Sequence, residues 1–107
     1  MCGGEDAAER DVFKGNVKEV VERVKRAAAE NGGFGVAEVD GKVYALGQCW
    51  KTVDGDGCRE CLEKGGEAVR GCGVKAEGRA LNAGCYLRYS THKFYNDQGD
   101  TEHDEHG

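Results

Sequence analysis

The first third of the chain carries apolar residues at the spacing of an amphipathic helix. Five of them recur every three or four positions and so share one face: Phe13, Val17, Val20, Val24 and Ala27. The pattern predicts a helix over residues 11–30. The Asn-Gly-Gly segment at 31–33 predicts its end, because these residues adopt the left-handed backbone that is common at helix C-termini.

Two short apolar segments follow on either side of a turn signal. Residues 34–39 and 42–50 are rich in β-branched, aromatic and small apolar residues. The Asp40-Gly41 dipeptide between them favours the tight turn of a β-hairpin. The segment therefore predicts two antiparallel strands, and Trp50 at the end of the second strand is predicted to be a core residue.

A second helix is predicted over residues 58–70, with a recurring face of small and apolar side chains. The Asp-Gly-Asp-Gly loop at 54–57 can supply a carboxylate as the N-cap. Gly65 and Gly66 each cost this helix about 1 kcal/mol relative to alanine. We expect it to form nevertheless, because Cys58 and Cys61 tether it.

The C-terminal third has weaker periodicity. Residues 71–78 predict a loop, residues 79–89 alternate poorly, and residues 93–95 suit a closing strand in which Phe94 is a core residue. The order helix, hairpin, helix, hairpin predicts an α+β domain with an antiparallel sheet. Residues 97–107 are polar, acidic and aperiodic, and predict a disordered tail.

Composition and charge exclude several classes of function. A chain of 107 residues is one domain. Five of its 20 acids lie in residues 97–107, which leaves 15 acids against 15 basic residues in the first 96. Without a basic stripe the chain lacks the electrostatic footprint of a nucleic-acid-binding protein.

No apolar run reaches the roughly 18–20 residues of a membrane span, and the N-terminus has no signal-peptide core. We interpret Met1 as a start codon added to an excised extracellular domain.

Six cysteines in 107 residues, an even number, indicate a small domain stapled by disulfides in an oxidising compartment. Three of them form a C-x8-C-x2-C array, two follow it, and one stands alone near the N-terminus: Cys49, Cys58, Cys61, Cys72, Cys85 and Cys2. Spacing alone leaves all fifteen connectivities open.

Two other uses of cysteine compete with disulfides. Cys58-Arg-Glu-Cys61 has the spacing of a redox pair, and a thiol at a helix N-terminus has a lowered pKa. A zinc ribbon needs two C-x2-C knuckles, or one knuckle with paired histidines. The chain has one knuckle, and His103 and His106 with the neighbouring tail acids form at most a loose cation site. We therefore predict a disulfide framework with no metal and no cofactor.

The sequence from Tyr44 to Asn96 contains motifs that are specific to one family. QCWKTVDGDGCRECLEK contains the cysteine array, and GCGVKAEGRALNAGCYLRYSTHKFYN contains the downstream cysteines with an aromatic ending. The chain resembles the ginkbilobin-2-like or Gnk2-homologous domain, also called DUF26 or the salt-stress-response/antifungal domain. It is most similar to the membrane-proximal copy in plant cysteine-rich receptor-like kinases. The resemblance implies a domain over residues 1–96 and makes residues 97–107 a disordered tail or juxtamembrane stalk.

The resemblance also implies a fold of two helices packed on a roughly five-stranded antiparallel sheet with three disulfides. Carried onto this chain, the pairs are Cys49–Cys58, Cys61–Cys85 and Cys2–Cys72. The chain-entropy treatment assigns their loops of roughly 10, 25 and 71 residues about 2.7, 3.5 and 4.4 kcal/mol, as upper bounds. The longest loop would tie an otherwise loose N-terminus to the body of the domain.

In the secreted antifungal protein that the chain resembles, mannose binding is attributed to an asparagine, an arginine and a glutamate. These positions correspond here to Gly3, Arg79 and Ser90, so the arginine alone is kept. A sugar needs several fixed hydrogen-bond partners, because each bond nets only about 1 kcal/mol against water. The three positions are candidate ligand-binding residues, and we expect no measurable mannose binding.

Three functions are consistent with the sequence. The first is a non-catalytic ligand-binding or protein-interaction module of a plant cysteine-rich receptor-like kinase. Its partner would be an apoplastic ligand, either a carbohydrate or a protein. The module could also pack against a tandem copy or form a homodimer. The second is a secreted mannose-binding antifungal defence protein. The third is a redox enzyme or thiol sensor. The acidic tail and the missing sugar contacts favour the first, in an extracellular location.

Overall fold

The computed structural model describes residues 1–7 and 9–95, which form two helices packed on one face of a five-stranded sheet. In chain order the elements are β1 (Cys2–Asp6), α1 (Arg10–Glu30), β2 (Phe34–Val39), β3 (Val43–Cys49), α2 (Gly55–Arg70), β4 (Lys75–Asn82) and β5 (Cys85–Ser90). The strand order is β1-β4-β5-β3-β2, and every neighbouring pair is antiparallel. The predicted α+β class is confirmed, and the predicted tail at 97–107 lies outside the described residues.

The first helix buries the face that its spacing predicted. Phe13, Val17, Val20 and Val24 are buried, joined by Val21 and Ala28. Ala27, the fifth residue of the predicted face, is only half-buried. The helix ends at the predicted glycines: Gly33 has φ +98°, and its N–H donates to the Ala28 carbonyl at 2.8 Å.

The first hairpin forms as predicted, with its second strand one residue shorter at each end. Asp40 and Gly41 both have positive φ, at 55° and 63°, as the tight turn between β2 and β3 requires. The prediction that Trp50 is a core residue is wrong, because its side chain is 45% exposed. The strand ends at Cys49, whose sulfur is bonded to Cys58, and the chain then turns away.

The second helix begins at Gly55, three residues before its predicted start. Asp54 is the N-cap: its carboxylate accepts a hydrogen bond from the Gly57 N–H at 2.7 Å. Glycine inside this helix has a packing role, because a Cβ at Gly66 would lie 2.8 Å from Cγ1 of Val21 on α1. The missing side chain lets the two helices approach closely.

The C-terminal third differs most from the prediction. Residues 75–78, predicted as loop, belong to β4, and the second hairpin turns at residues 83–84, inside the segment that alternates poorly. The predicted closing strand at 93–95 is not formed, since only Tyr95 makes an isolated bridge. Two small residues explain the error. Gly78 and Ala80 face the core but give little hydrophobic signal, and the Tyr89 ring and α2 fill the space beside them.

Three disulfides link the elements, and they are the pairs that the resemblance implied. Cys2–Cys72 joins β1 to the turn after α2, Cys49–Cys58 joins β3 to α2, and Cys61–Cys85 joins α2 to β5. Their Cα–Cα distances are 5.4, 5.6 and 6.1 Å, within the usual range for disulfides. Each bond therefore connects the sheet to the helical side of the domain.

A second apolar cluster covers part of the sheet face turned away from the helices, which we call the outer face. Phe94 and Tyr95, which follow β5, pack there on Leu46 of β3. The Tyr95 hydroxyl donates to the Ala37 carbonyl on β2 at 2.8 Å. Phe94 is buried, as predicted, and Leu46 in the middle of β3 is covered with it.

Candidate functional site

The three candidate ligand positions share the outer face. Successive residues of a strand point to opposite faces of the sheet. Gly78 and Ala80 of β4 face the helices, so Glu77 and Arg79 point to the outer face. Glu77 is paired across strands with Gly3 of β1 on one side and with Ser90 of β5 on the other. The fold thus brings Gly3, Arg79 and Ser90 together around one carboxylate, Glu77.

The three positions differ in what they offer a ligand. Gly3 has no side chain, and a Cβ placed there would lie 3.7 Å from Cγ of Glu77. Ser90 is 3% exposed, and its hydroxyl oxygen already accepts the backbone N–H of His92 at 3.1 Å. Arg79 is exposed. A ligand at this place would therefore meet Arg79 and Glu77, whereas Ser90 is occupied.

Two arginines face each other across β4 and β5 at this site. Arg79 is the register partner of Arg88, and like charges in directly opposed positions repel. Arg88 is held by other contacts: its guanidinium carbon lies 4.2 Å from the centre of the Phe94 ring, and its Nη2 is 3.9 Å from the Glu77 carboxylate. Its Nε is buried without a hydrogen-bond partner. Arg88 therefore fastens Phe94 to the sheet, while Arg79 stays in solvent.

The surface around Glu77 and Arg79 is too shallow to enclose a sugar. The hollow between β1 and β4 has a volume of about 40 Å³. That volume is close to the space of a single water molecule, whereas pockets that enclose small ligands measure about 300–1,000 Å³. Any sugar held here would rest on the surface, with water competing for each hydrogen bond.

A cleft of about 580 Å³ lies beside this hollow, between β1, the start of α1 and the turn after β5. Val12 and Phe13 contribute apolar surface to it, and Asn16 and His92 contribute polar groups. Glu77 lines both the cleft and the hollow. The cleft has the size of a small-molecule site, and we refer to it as the β1–α1 cleft.

The sequence did not point to Glu77 or to the cleft. Glu77 fell in a segment predicted as loop, and recognising β4 would have placed it two residues from Arg79 on the same face. The cleft combines residues from three separate elements, with His92 and Asn16 far apart in sequence. Only the tertiary structure brings them together.

The redox hypothesis required Cys58 and Cys61 to pair with each other. Instead Cys58 is bonded to Cys49 and Cys61 to Cys85, so the C-x2-C segment forms no dithiol couple. In the described part of the chain, no group of three or more His, Cys, Asp or Glu side chains is arranged to hold a metal ion. His103 and His106 lie outside that part.

Comparison with known proteins gives the chain its relatives. The profile of the salt stress response/antifungal family matches residues 1–92. The chain is 53% identical over 81 residues to cysteine-rich receptor-like protein kinase 42 of Arabidopsis thaliana, which covers 76% of this chain and 12% of that protein. It is 29% identical over 100 residues to an antimicrobial ginkbilobin-2-like protein of Castanea crenata, covering 88% of this chain and 42% of that protein.

A solved structure shares the fold. The tandem DUF26 ectodomain of the Arabidopsis thaliana cysteine-rich receptor-like protein PDLP8 superposes with a TM-score of 0.73 at 21% identity, covering 85% of this chain and 42% of that one. The chain therefore spans less than half the length of each of these relatives.

Location and family follow from these findings. Disulfides of this kind form in oxidising compartments outside the cytosol, and the relatives include receptor-like proteins and a solved ectodomain. The domain is extracellular. Within residues 1–7 and 9–95, neither helix has the length and hydropathy needed to cross a bilayer. The chain belongs to the salt stress response/antifungal family, the Gnk2-homologous or DUF26 domains.

Proposed function

We propose that this domain is a ligand-binding or protein-interaction module in the ectodomain of a plant cysteine-rich receptor-like kinase, and that it catalyses no reaction itself. Its ligand is an apoplastic molecule, and any phosphoryl transfer belongs to a separate kinase domain of the parent protein. The relationship to a receptor-like kinase at 53% identity supports the receptor assignment. The observation that carries the binding role is the β1–α1 cleft.

The cleft has the properties of a recognition site. Its volume of about 580 Å³ suits a small ligand or a peptide side chain. Its lining combines apolar surface from Phe13 with hydrogen-bonding groups on Asn16 and His92. Four carboxylates also line it: those of Glu5, Asp6, Glu9 and Glu77. Two disulfides hold the sheet against α2, and Cys2–Cys72 fixes β1 beside the cleft. Such a preformed site binds with little loss of conformational entropy.

The test is a fluorescently labelled domain applied to an array of plant cell-wall oligosaccharides, with binders re-measured by titration calorimetry. Val12→Arg introduces a long charged side chain into the cleft at a position that is 52% exposed. Leu81→Arg places the same side chain on the outer face as a matched control, at 72% exposure. We expect Val12→Arg alone to weaken binding at least tenfold. Equal affinity for both variants would contradict a role for the cleft.

We further propose that a second domain of the same family packs on the apolar end of the outer face. Leu81 and Trp50 are large apolar side chains left in solvent at this end, and the backbone N–H of Trp50 donates to the Gly84 carbonyl in the β4–β5 turn at 2.8 Å. Exposed apolar patches of this kind commonly mark protein interfaces. The solved relative contains two such domains in tandem, which supports the same kind of partner here.

Sedimentation velocity tests this packing on the isolated chain. At concentrations of tens to hundreds of micromolar, we expect reversible dimers that are lost in Leu81→Arg, because the arginine would be buried in the interface without a partner. Val12→Arg lies on another surface and should leave the dimer unchanged. A strictly monomeric wild-type chain would remove the case for self-association through this patch.

A secreted mannose-binding role is the second candidate, and one observation favours it. Arg79 is exposed at the position where the family's sugar-binding arginine stands, and an antimicrobial protein is among the relatives. Gly3 and Ser90 argue against it, since neither has a free polar side chain. We expect calorimetry with mannose to show no binding at millimolar sugar. Millimolar-or-tighter binding that Arg79→Ala abolishes would support the lectin instead.

A further inference from the structure

The lysines of α1 fall into two groups that the sequence does not distinguish. Lys25 is largely enclosed between the helices, with its Nζ bound to the carboxylate of Glu22 at 2.9 Å and to that of Glu63 on α2. The hydrogen bond to Glu63 raises the pKa of Lys25 and lowers that of Glu63. Lys25 is therefore a structural residue, bridging α1 and α2.

Lys14 and Lys18 form the other group, and they line a groove together with Arg70. The groove lies between α1, the end of α2 and the turn that follows it, and has a volume of about 360 Å³. Val17, Gly15 and Gly73 complete its lining, so none of the lining residues is acidic. Among the ion pairs of the described residues, none includes Lys14, Lys18 or Arg70. We call this the basic groove.

The basic groove stands out against the charge of the chain. The first 96 residues carry equal numbers of acids and bases, yet three cations line this groove without a carboxylate among the lining residues. The nearest carboxylate that the structure shows acting on them is Glu63, whose charge interacts with Arg70 from outside the lining. Lys14 and Lys18 are one helical turn apart, about 6 Å along the axis, and like charges at this spacing repel. An anionic ligand would relieve that repulsion, and one with repeated charges could contact all three cations.

The lining of the groove leaves room for an anionic ligand and offers groups that would bind one. A Cβ at Gly15 or Gly73 would meet nothing within 4 Å, so the space beside both glycines is open. Arg70 presents a planar fork that matches a carboxylate, whereas the two lysines act as flexible point charges.

We propose that the basic groove binds a linear acidic oligosaccharide through carboxylates on successive sugar units. Charge complementarity and the extracellular location of the domain support this class of ligand. Each exposed ion pair contributes at most about 1 kcal/mol, so binding depends on several carboxylates acting together and weakens with salt. The groove is on the helical side of the domain and is independent of the β1–α1 cleft.

The experiment titrates the ¹⁵N-labelled full chain with an α-1,4-linked galacturonic acid dodecamer, followed by NMR at low and physiological salt. The fully methyl-esterified dodecamer has the same backbone without charge and serves as the ligand control. Lys14→Gln/Lys18→Gln removes two charges from the groove. Lys51→Gln/Lys64→Gln removes two exposed charges elsewhere and is the matched protein control. Thermal unfolding checks that both variants remain folded.

We expect chemical-shift changes centred on residues 14–18 and 70–73 with the acid dodecamer and none with the ester. Affinity should fall at least tenfold in Lys14→Gln/Lys18→Gln and less than twofold in the matched control. Equal losses in the two variants would mean diffuse charge attraction, and would overturn the proposal. So would equal binding of the ester, shifts confined to the outer face or the β1–α1 cleft, or no binding at low salt. Results with the Val12→Arg variant test the cleft separately.

Discussion

Tyr89 is the residue at which burial and ionisation are most closely linked. Its side chain is fully buried, its ring lies 6.2 Å from that of Phe13, and its hydroxyl donates to the Lys75 carbonyl at 2.9 Å. Burial, with a smaller effect from the charge of Glu77, raises the pKa of Tyr89 to about 12. The folded state therefore holds this hydroxyl in its neutral form well into the alkaline range.

Alkaline pH should destabilise the domain through Tyr89. Below pH 10 the hydroxyl is protonated in both the folded and the unfolded chain, so it adds no pH dependence. Between pH 10 and about 12 only the unfolded chain releases this proton, so the free energy of unfolding falls by about 1 kcal/mol per pH unit. Urea titrations at pH 8, 10 and 11 would measure the fall.

Tyr89→Phe separates this effect from general alkaline damage. At pH 8 the variant should lose about 1 kcal/mol, because the Lys75 carbonyl loses its hydrogen bond. Its unfolding free energy should then decline less steeply than that of the wild type above pH 10. Parallel declines in the two proteins would show that Tyr89 does not titrate differently in the folded state.

At the scale of elements, close contact between α1 and the sheet depends on residues without side chains. A Cβ at Gly35 of β2 would lie 2.6 Å from the backbone nitrogen of Ala28, and one at Gly47 of β3 would lie 2.5 Å from Cγ1 of Val24. A backbone atom cannot move aside as a flexible side chain can. The helix therefore packs on the sheet at a distance that glycine sets.

Gly35→Ala should destabilise the domain by about 1–3 kcal/mol, because the new methyl group overpacks the contact with α1. Gly15→Ala is the matched control, since the same methyl group there meets nothing within 4 Å inside an established helix. That variant should gain about 0.5–1 kcal/mol. Chemical denaturation of both proteins measures the difference. A gain or no change in Gly35→Ala would mean that α1 shifts without cost.

The elements that the sequence predicted are those whose own side chains fill the core. The spacing of Phe13, Val17 and Val20 defines α1 because each of them is buried against the sheet. Strand β4 was missed because Gly78 and Ala80 face the core there, and the packing comes from Tyr89 and α2 instead. Such a strand has little hydrophobic signal of its own.

The candidate site was less predictable than the fold for a related reason. The resemblance supplied Gly3, Arg79 and Ser90, but neither spacing nor composition shows that Ser90 is buried and already accepts a hydrogen bond. The β1–α1 cleft and the basic groove each combine side chains from separate elements. Their composition becomes visible only when the pairing of strands and helices is known.

For the molecule as a whole, the three disulfides join the sheet to the helical side, and they close loops of very different lengths. The bonded residues are separated by 9, 24 and 70 positions for Cys49–Cys58, Cys61–Cys85 and Cys2–Cys72. A crosslink that closes a longer loop removes more entropy from the unfolded chain. With 18 glycines and no proline, that unfolded chain is unusually flexible, so crosslinks matter more here.

Replacing each pair by alanines should therefore cost stability in the order of loop length. The upper bounds are about 2.7, 3.5 and 4.4 kcal/mol for the short, middle and long loop, respectively. Guanidinium unfolding of the three double variants gives the ranking. If losing the buried pair Cys49–Cys58 proves most costly, packing in the core rather than loop entropy governs the contribution of these bonds.

The strand order also determines how the domain would respond to pulling forces. Strand β1 lies at one edge of the sheet and is anchored by Cys2–Cys72, whereas Tyr95 sits over β2 at the opposite edge. A pulling force applied at β1 and at Tyr95 would therefore act on opposite edges of the sheet. Under tension β1 resists, because the Cys2–Cys72 disulfide holds it. The Phe94–Tyr95 segment peels away first, because only packing and hydrogen bonds hold it. The outer face beneath it would become exposed while the rest of the fold stays intact.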